Sequence, residues 1–201
     1  CAERALRIVA AMQPSSGGFL EAIPLTSFIA MGLASAGYAD HQIVKSALAF
    51  LVNSVRADGS WSIDSNLSVW VTSLSVNALA VEKENLDELG CEQWLLAQQH
   101  LHKHAYSGAA AGGWSWTDLP GGVPDADDTA GALLALSAMG RHHATCQAGA
   151  IPERISTAAT AGIDWLLNLQ NDDGGWPTFC RGWGKLTFDR SGTDLTSHVI
   201  R

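Results

Sequence analysis

The sequence predicts an all-α protein, namely an α/α barrel (toroid) of helical hairpins that is incomplete, with about four hairpins. Three observations lead to this prediction. The chain of 201 residues is 47% hydrophobic and only 16% charged, so much of it must be buried. A short frame of aromatic, glutamine and glycine positions recurs along it. Amphipathic segments also alternate with segments that are apolar on all sides.

The recurring frame is clearest in "WLLNLQNDDGGW". Trp165 is followed by an aliphatic residue, then by Gln170, Gly174 and Trp176. The same spacing begins again at three other positions, with Val55 replacing the glutamine in one copy: Ile8, Phe50 and Trp94. In the copy that begins at Trp94, the segment "HLHKHAYSGAAA" is inserted before the closing "GGW". A sequence frame that recurs in this way along a chain indicates a repeat architecture.

Each copy predicts one helical hairpin. An amphipathic helix ends at a turn whose glycine supplies a positive φ or a close backbone approach. The following aromatic packs back on the turn, and a second, more apolar helix begins. These second helices are "LTSFIAMGLASAG", "SVWVTSLSVNALAVE", "DADDTAGALLALSAMG" and "TDLTSHVIR". Because they are apolar on all sides, we expect them to be the buried, inner set, with the amphipathic helices outside.

Four hairpins leave the predicted barrel open, since a closed one needs about six. The last predicted helix also stops at "VIR" without a capping signal. We therefore expect residues 1–201 to be part of one α/α-barrel domain and the chain to be a fragment of a longer protein. A short open solenoid is the alternative.

Charge and cysteine content exclude several classes of protein. The net charge is −8, and no basic stripe is present to neutralise phosphates, so nucleic-acid binding is not expected. The four cysteines form no CxxC pair or metal-like spacing, which favours reduced thiols in the cytoplasm. No apolar run is long enough to span a membrane. Alternating histidines in "HLHKH" are weak evidence for a metal, and no metal or cofactor is expected.

Three aspartates crowd the start of one apolar helix: Asp125, Asp127 and Asp128 in "VPDADDTAGALLAL". Asp125 is a plausible N-cap, which places the other two in the first helical turn. The helix dipole favours their ionised forms, whereas mutual repulsion and burial favour protonation. We expect at least one carboxyl group to keep its proton at neutral pH, as acid catalysis on a hydrocarbon requires.

Two further features belong to the same rim of the predicted barrel. Asp194 and His198 are four residues apart on the next inner helix, so they share one face, and His198 is placed to hydrogen-bond a carboxyl group of the cluster. Trp116 lies nine residues before Asp125 and outside the repeat frame. Its indole face is suited to stabilising a cation.

These motifs resemble the squalene–hopene cyclase family of class II terpene cyclases. The repeat frame is similar to the family's QW repeat, and "DADDTA" is similar to its DxDD motif. The order "GGWSW…PDADDTA…WLLNLQNDDGGW…FC…DLTSH" also matches the family's active-site half. The resemblance is best over residues 90–201, and upstream it depends on the repeats alone.

The resemblance implies roles for individual residues. Asp127 would donate the proton to a terminal alkene. The other implied site residues are the groups that tune or hydrogen-bond this acid and the aromatics that stabilise cations: Asp125, Asp128, Asp194 and His198, with Trp116 and Phe179. Oxidosqualene cyclases have a single aspartate followed by cysteine at this place. The presence of "DADD" instead favours an unoxidised alkene as substrate.

The implied reaction is protonation-initiated cyclisation of a linear isoprenoid, squalene first of all, to a polycyclic triterpene. No cofactor is implied. The expected partners are a hydrophobic isoprenoid substrate and, for the full-length protein, the cytoplasmic membrane surface, where family enzymes are monotopic. A homodimer is left open.

Two other functions fit parts of the sequence. A zinc enzyme like the protein prenyltransferase β-subunit shares the α/α barrel and would use Cys180 with Asp172 or Asp173 and His198. A non-catalytic α/α helical-repeat scaffold would explain the repeats but not the acidic rim.

Overall fold

The computed structural model describes residues 2–81, 86–105, 107–146, 149–177 and 189–201, without the side chains of residues 87, 88 and 146. Its strands, Trp176–Pro177 (β1) and Ser191–Gly192 (β2), form one antiparallel pair. The predicted all-α class is confirmed. The helices in these ranges are Ala2–Met12 (α1), Ile23–Leu33 (α2), Gln42–Asn53 (α3), Ser68–Val81 (α4), Glu92–Ala97 (α5), Ala126–Cys146 (α6), Glu153–Leu169 (α7) and Thr193–Val199 (α8).

The helices follow the predicted alternation: α1, α3, α5 and α7 begin the four hairpins, and α2, α4, α6 and α8 complete them. The chain divides into two compact units. The first contains the residues up to Leu67 together with Asp118–Gly122, and the second contains Ser68–Thr117 and Val123–Arg201. That residues 1–201 are part of one barrel domain stays a prediction.

The turns between paired helices have the predicted geometry. The four frame glycines have φ between 82° and 122°: Gly17, Gly59, Gly112 and Gly174. Gln99 donates from Nε2 to the Gly112 carbonyl (2.7 Å) and to the Ala158 carbonyl (2.9 Å). The frame tryptophans donate back to the helix before the turn, as Trp114 Nε1 does to the Leu95 carbonyl (2.8 Å). The repeat is therefore a hydrogen-bonded turn module.

In the first unit, α2 packs against α3, and the core includes Phe19, Ile43 and Ala47. Glu21 is also fully buried there, at 0% exposure. Its Oε1 accepts from the Ser16 hydroxyl (2.7 Å) and from the Gly121 N–H (2.8 Å). These bonds fix the segment Asp118–Gly122 within this unit.

In the second unit, α6 is the central helix and packs against α4, α5, α7 and α8. The core around it is formed by Val69, Val76, Leu95, Trp114, Leu136 and Ile155. Since α6 has neighbours on several sides, its apolar residues are covered almost all the way round. None of the helices in the described ranges has the length and apolar character needed to cross a bilayer.

The prediction that the second helices are buried on all sides is wrong for α2, α4 and α8. In α8 only Leu195 is buried. Phe28 and Met31 of α2 are exposed, and so are Trp70 and Leu74 of α4. Within their units, α2 packs mainly against α3 and α4 mainly against α6, so each buries one stripe of its surface. The apolar surface of these helices is thus larger than the surface that their neighbouring helices bury.

Candidate active site

The acidic cluster lies at the beginning of α6, as predicted. Asp125 is the N-cap, because its Oδ1 accepts from the backbone N–H of Asp128 (2.8 Å). The Asp125 N–H donates to the Trp114 carbonyl (3.1 Å), which joins the cap to the preceding "GGW" turn. Asp127 and Asp128 occupy the first turn, so one backbone motif holds all three carboxyl groups.

Asp125 and Asp128 form a buried pair, with exposed fractions of 4% and 6%. Burial raises the pKa of Asp125 well above its usual range, and the charge of Asp128 raises it further. Burial likewise raises the pKa of Asp128 to about 6, with a contribution from the charge of Asp127. If both groups were ionised, Asp125 Oδ2 and Asp128 Oδ1 would be buried acceptors without a donor among the described residues. A proton on Asp125 would supply that donor, in keeping with the raised pKa of its carboxyl group.

Asp127 points away from this pair and meets α8. His198 Nδ1 lies 2.5 Å from Asp127 Oδ1, a contact between residues that are 71 apart in the chain. The side chain of Asp127 is 36% exposed and that of His198 is 53% exposed. The structure thus brings together the two residues predicted to be the acid and its histidine partner, while the roles assigned to them stay predictions.

Asp194, the other residue predicted to belong to this network, is not part of it. Asp194 is exposed, and in the described part of the chain its carboxyl group makes no hydrogen bond or ion pair with His198 or the aspartates of the cluster. It lies one turn before His198 as predicted, but the imidazole turns towards α6 instead. Phe179 lies outside the described residues.

Trp116 lies between the beginnings of two second helices. Its carbonyl accepts from the N–H groups of Val69 (3.1 Å) and Trp70 (3.2 Å), in the first turn of α4. Two residues earlier, the Trp114 carbonyl caps the start of α6. The half-buried indole of Trp116 is therefore carried by a segment tied to both helices, one of which bears the acidic cluster.

The sequence analysis missed two residues of this region. Thr129 lies one residue after the cluster, and its Oγ1 accepts from the Trp114 N–H (2.9 Å) and donates to the Trp114 carbonyl (3.3 Å). Trp70 is a partly exposed aromatic next to the Trp116 carbonyl. An aromatic in the first turn of an inner helix was a signal for Trp70. For Thr129 the signal was a hydroxyl in an otherwise apolar helix.

The zinc arrangement considered from the sequence is not assembled by its described members. The carboxyl group of Asp173 accepts from the Ser191 hydroxyl (2.6 Å) and the Gly175 N–H (3.0 Å). His198 meets Asp127 instead. Cys180 lies outside the described residues. In the part of the chain that the structure describes, no group of three or more His, Cys, Asp or Glu side chains is placed to hold a metal ion.

Comparison with known proteins agrees with the sequence resemblance. The family described as "Squalene-hopene cyclase C-terminal domain" matches residues 65–190. Sporulenol synthase of Bacillus subtilis is 30% identical over 126 residues, and a probable squalene–hopene cyclase of Sinorhizobium fredii is 31% identical over 125. These matches cover 58% and 55% of this chain and 17% of each relative. Enfumafungin synthase of Hormonema carpetanum is 28% identical over 161 residues, which are 71% of this chain and 12% of that protein.

Proposed function

The chain belongs to the squalene–hopene cyclase C-terminal domain family, and from this membership we propose that it carries the acid of a class II terpene cyclase. The proposed reaction is protonation of a terminal alkene in a linear isoprenoid, followed by ring closure to a polycyclic product. The observation that supports it most is the contact between Asp127 and His198 beside a buried pair of aspartates whose pKa values are raised by burial.

Asp127 is the proposed proton donor because its carboxyl group is the accessible one of the three. His198 contacts Oδ1, which leaves Oδ2 to carry the proton. The proton moves from Oδ2 to the less substituted carbon of the terminal double bond, whose π electrons form the new C–H bond. The adjacent carbon becomes a tertiary cation, and Asp127 is left as a carboxylate. A protonated His198 Nδ1 then stabilises that carboxylate by a charge-assisted hydrogen bond.

The buried pair lies in the same helical turn as the proposed donor. Burial raises the pKa of both Asp125 and Asp128, so we propose that the pair holds at most one negative charge beside the donor. Trp116 and Trp70 are the aromatics proposed to face the cations that follow, since an indole face attracts positive charge.

Squalene is the proposed substrate, and the membrane surface at the cytoplasmic side is the proposed place of action. A hydrocarbon chain offers no charge or hydrogen bond to hold it, which suits the exposed apolar side chains at the head of α4. Phe179 stays in the proposal as a cation-stabilising aromatic. A homodimer is left open.

The test is cyclisation by the longest natural protein that carries this sequence. Squalene and, separately, a linear isoprenyl diphosphate are supplied in detergent micelles, and the products are identified by mass spectrometry. Asp127→Asn should lower turnover by at least about a hundredfold, because the amide has no acidic proton. Its helicity and melting temperature should stay close to wild type. Asp164→Asn, an exposed acid on α7, is the matched control and should keep full activity.

Two outcomes would contradict the proposal. If Asp127→Asn still cyclises squalene at the wild-type rate, Asp127 is not the acid. If the wild-type protein transfers a prenyl group from the diphosphate and loses that activity when zinc is chelated, the protein is a zinc prenyltransferase instead.

A further inference from the structure

The histidine-rich insertion of the sequence contacts the segment that carries Trp116. His100 follows α5, and its backbone pairs in both directions with the "GGW" turn. Its N–H donates to the Gly113 carbonyl (2.9 Å), and its carbonyl accepts from the Gly112 N–H (2.7 Å). Its ring Nε2 lies 3.3 Å from the hydroxyl of Ser115, a residue that is 1% exposed. Neither the repeat frame nor the proposed acid explains this placement.

The contacts of Ser115 determine the tautomer of His100. The Ser115 hydroxyl donates to the Thr117 carbonyl (3.0 Å), which uses its one hydrogen. Ser115 can then only accept from the imidazole, so Nε2 of His100 carries a hydrogen. Burial, with the charge of His104 as a second cause, lowers the pKa of His100 to about 4. The ring is therefore neutral at neutral pH, with its hydrogen on Nε2.

We propose that His100 is a positioning residue for Trp116. Its Nε2–H donates to Ser115, and Ser115 donates to Thr117, so the two bonds hold the residues on both sides of Trp116. The backbone of Trp116 itself is held by α4 through its carbonyl. His100 thereby helps to fix the backbone position from which the Trp116 indole projects. This inference rests on the proposed function, in which that indole stabilises a cation.

Loss of the His100 donor would change which cyclisation products form more than it would change protonation of the alkene. The contact between Asp127 and His198 involves α6 and α8 and does not include this bond chain. A displaced indole stabilises its cation less, so that cation is quenched before the next ring closes. The ratio of partly cyclised to fully cyclised product should rise about fivefold, as expected for the loss of part of one cation–π contact.

The experiment compares three variants of the longest natural protein that carries this sequence, with squalene as the probe. His100→Phe keeps a ring but removes the donor and should shift the product ratio. His100→Gln retains an N–H donor and should restore a ratio close to wild type. His102→Phe adds the same ring at an exposed neighbour and is the matched control. If His100→Phe does not fold, Ser115→Ala, which removes the shared oxygen, should give the same shift.

A second measurement does not depend on activity. In the protein labelled with ¹⁵N-histidine, the His100 ring, identified by its loss in His100→Gln, should show the Nε2–H tautomer. Nδ1–H, or titration near the ordinary histidine pKa, would disprove the bond to Ser115. Equal product ratios for His100→Phe and His102→Phe would overturn the positioning role even if wild type cyclises squalene. No cyclisation by wild type would overturn the proposed function and the role of Trp116, while the tautomer would still report on the bond.

Discussion

Replacing Asp128 by asparagine tests whether burial raises the pKa of this carboxyl group. Burial raises the pKa of Asp128 from 3.8 to about 6, so the folded chain keeps this proton over a pH range in which the unfolded chain has lost it. The stability from this proton is complete below pH 3.8 and is lost as the pH rises through about 6. About two pKa units correspond to about 3 kcal/mol.

Asp128→Asn keeps the size of the side chain and removes its charge. The free energy of unfolding of wild type should therefore fall relative to the variant by about 2 to 3 kcal/mol between about pH 4 and pH 7. The difference is expected to be smaller if Asp125 ionises more easily in the variant, where the repulsion from Asp128 is absent, because the variant then also loses stability as the pH rises. The variant should be the more stable protein at neutral pH, since asparagine carries no buried charge.

The assay is urea unfolding of both proteins, followed by circular dichroism at several pH values in this range. Asp164→Asn is again the control, because this exposed carboxyl group should leave the pH dependence unchanged. Parallel wild-type and Asp128→Asn curves would refute the raised pKa of Asp128. If the free energy of unfolding of wild type rises relative to that of the variant as the pH rises, the direction of the pKa shift of Asp128 is wrong.

Two pairs of substitutions test the turn module and the buried glutamate by urea unfolding. Gln99→Ala should lower the free energy of unfolding by about 2 to 3 kcal/mol, because two carbonyls lose their donor, whereas the more exposed Gln170→Ala should cost under about 1 kcal/mol. Equal losses would contradict this. Gly121→Ala would place a Cβ 2.7 Å from Glu21 Oε1 and should cost about 1 to 3 kcal/mol, whereas Gly32→Ala, with open space around it, should gain up to about 1 kcal/mol. A harmless Gly121→Ala would contradict the close packing.

The hairpins could be predicted from the sequence because their determinants are local. A glycine with φ of 122° at Gly112 and the bond from Gln99 to its carbonyl depend on residues close together in the chain. The same holds for the N-cap of Asp125, whose partner is three residues away. Local hydrogen bonds of this kind leave a pattern of residue types at fixed spacing.

Burial could not be predicted in the same way, because it depends on which helices meet. Apolarity on all sides indicated complete burial of α4, yet Trp70 and Leu74 are exposed, since neighbouring helices cover one stripe. The spacing of Asp194 and His198 placed them on one face correctly, but the choice of partner for the imidazole depends on the approach of α6. Spacing within a helix limits which side chains share a face, and tertiary contacts decide which of them bond.

The acidic cluster shows how one helical turn separates two chemical tasks. Asp125 and Asp128 are three residues apart, so they share the face of α6 that is turned inwards and cannot meet a substrate. Asp127 is rotated away from that face and reaches both His198 and the surface. In the proposed reaction, the buried pair would hold negative charge beside Asp127 without meeting the alkene, and His198 would stabilise the Asp127 carboxylate after the proton has left. Three closely spaced acidic residues can therefore differ in ionisation, because the helix gives each of them a different environment.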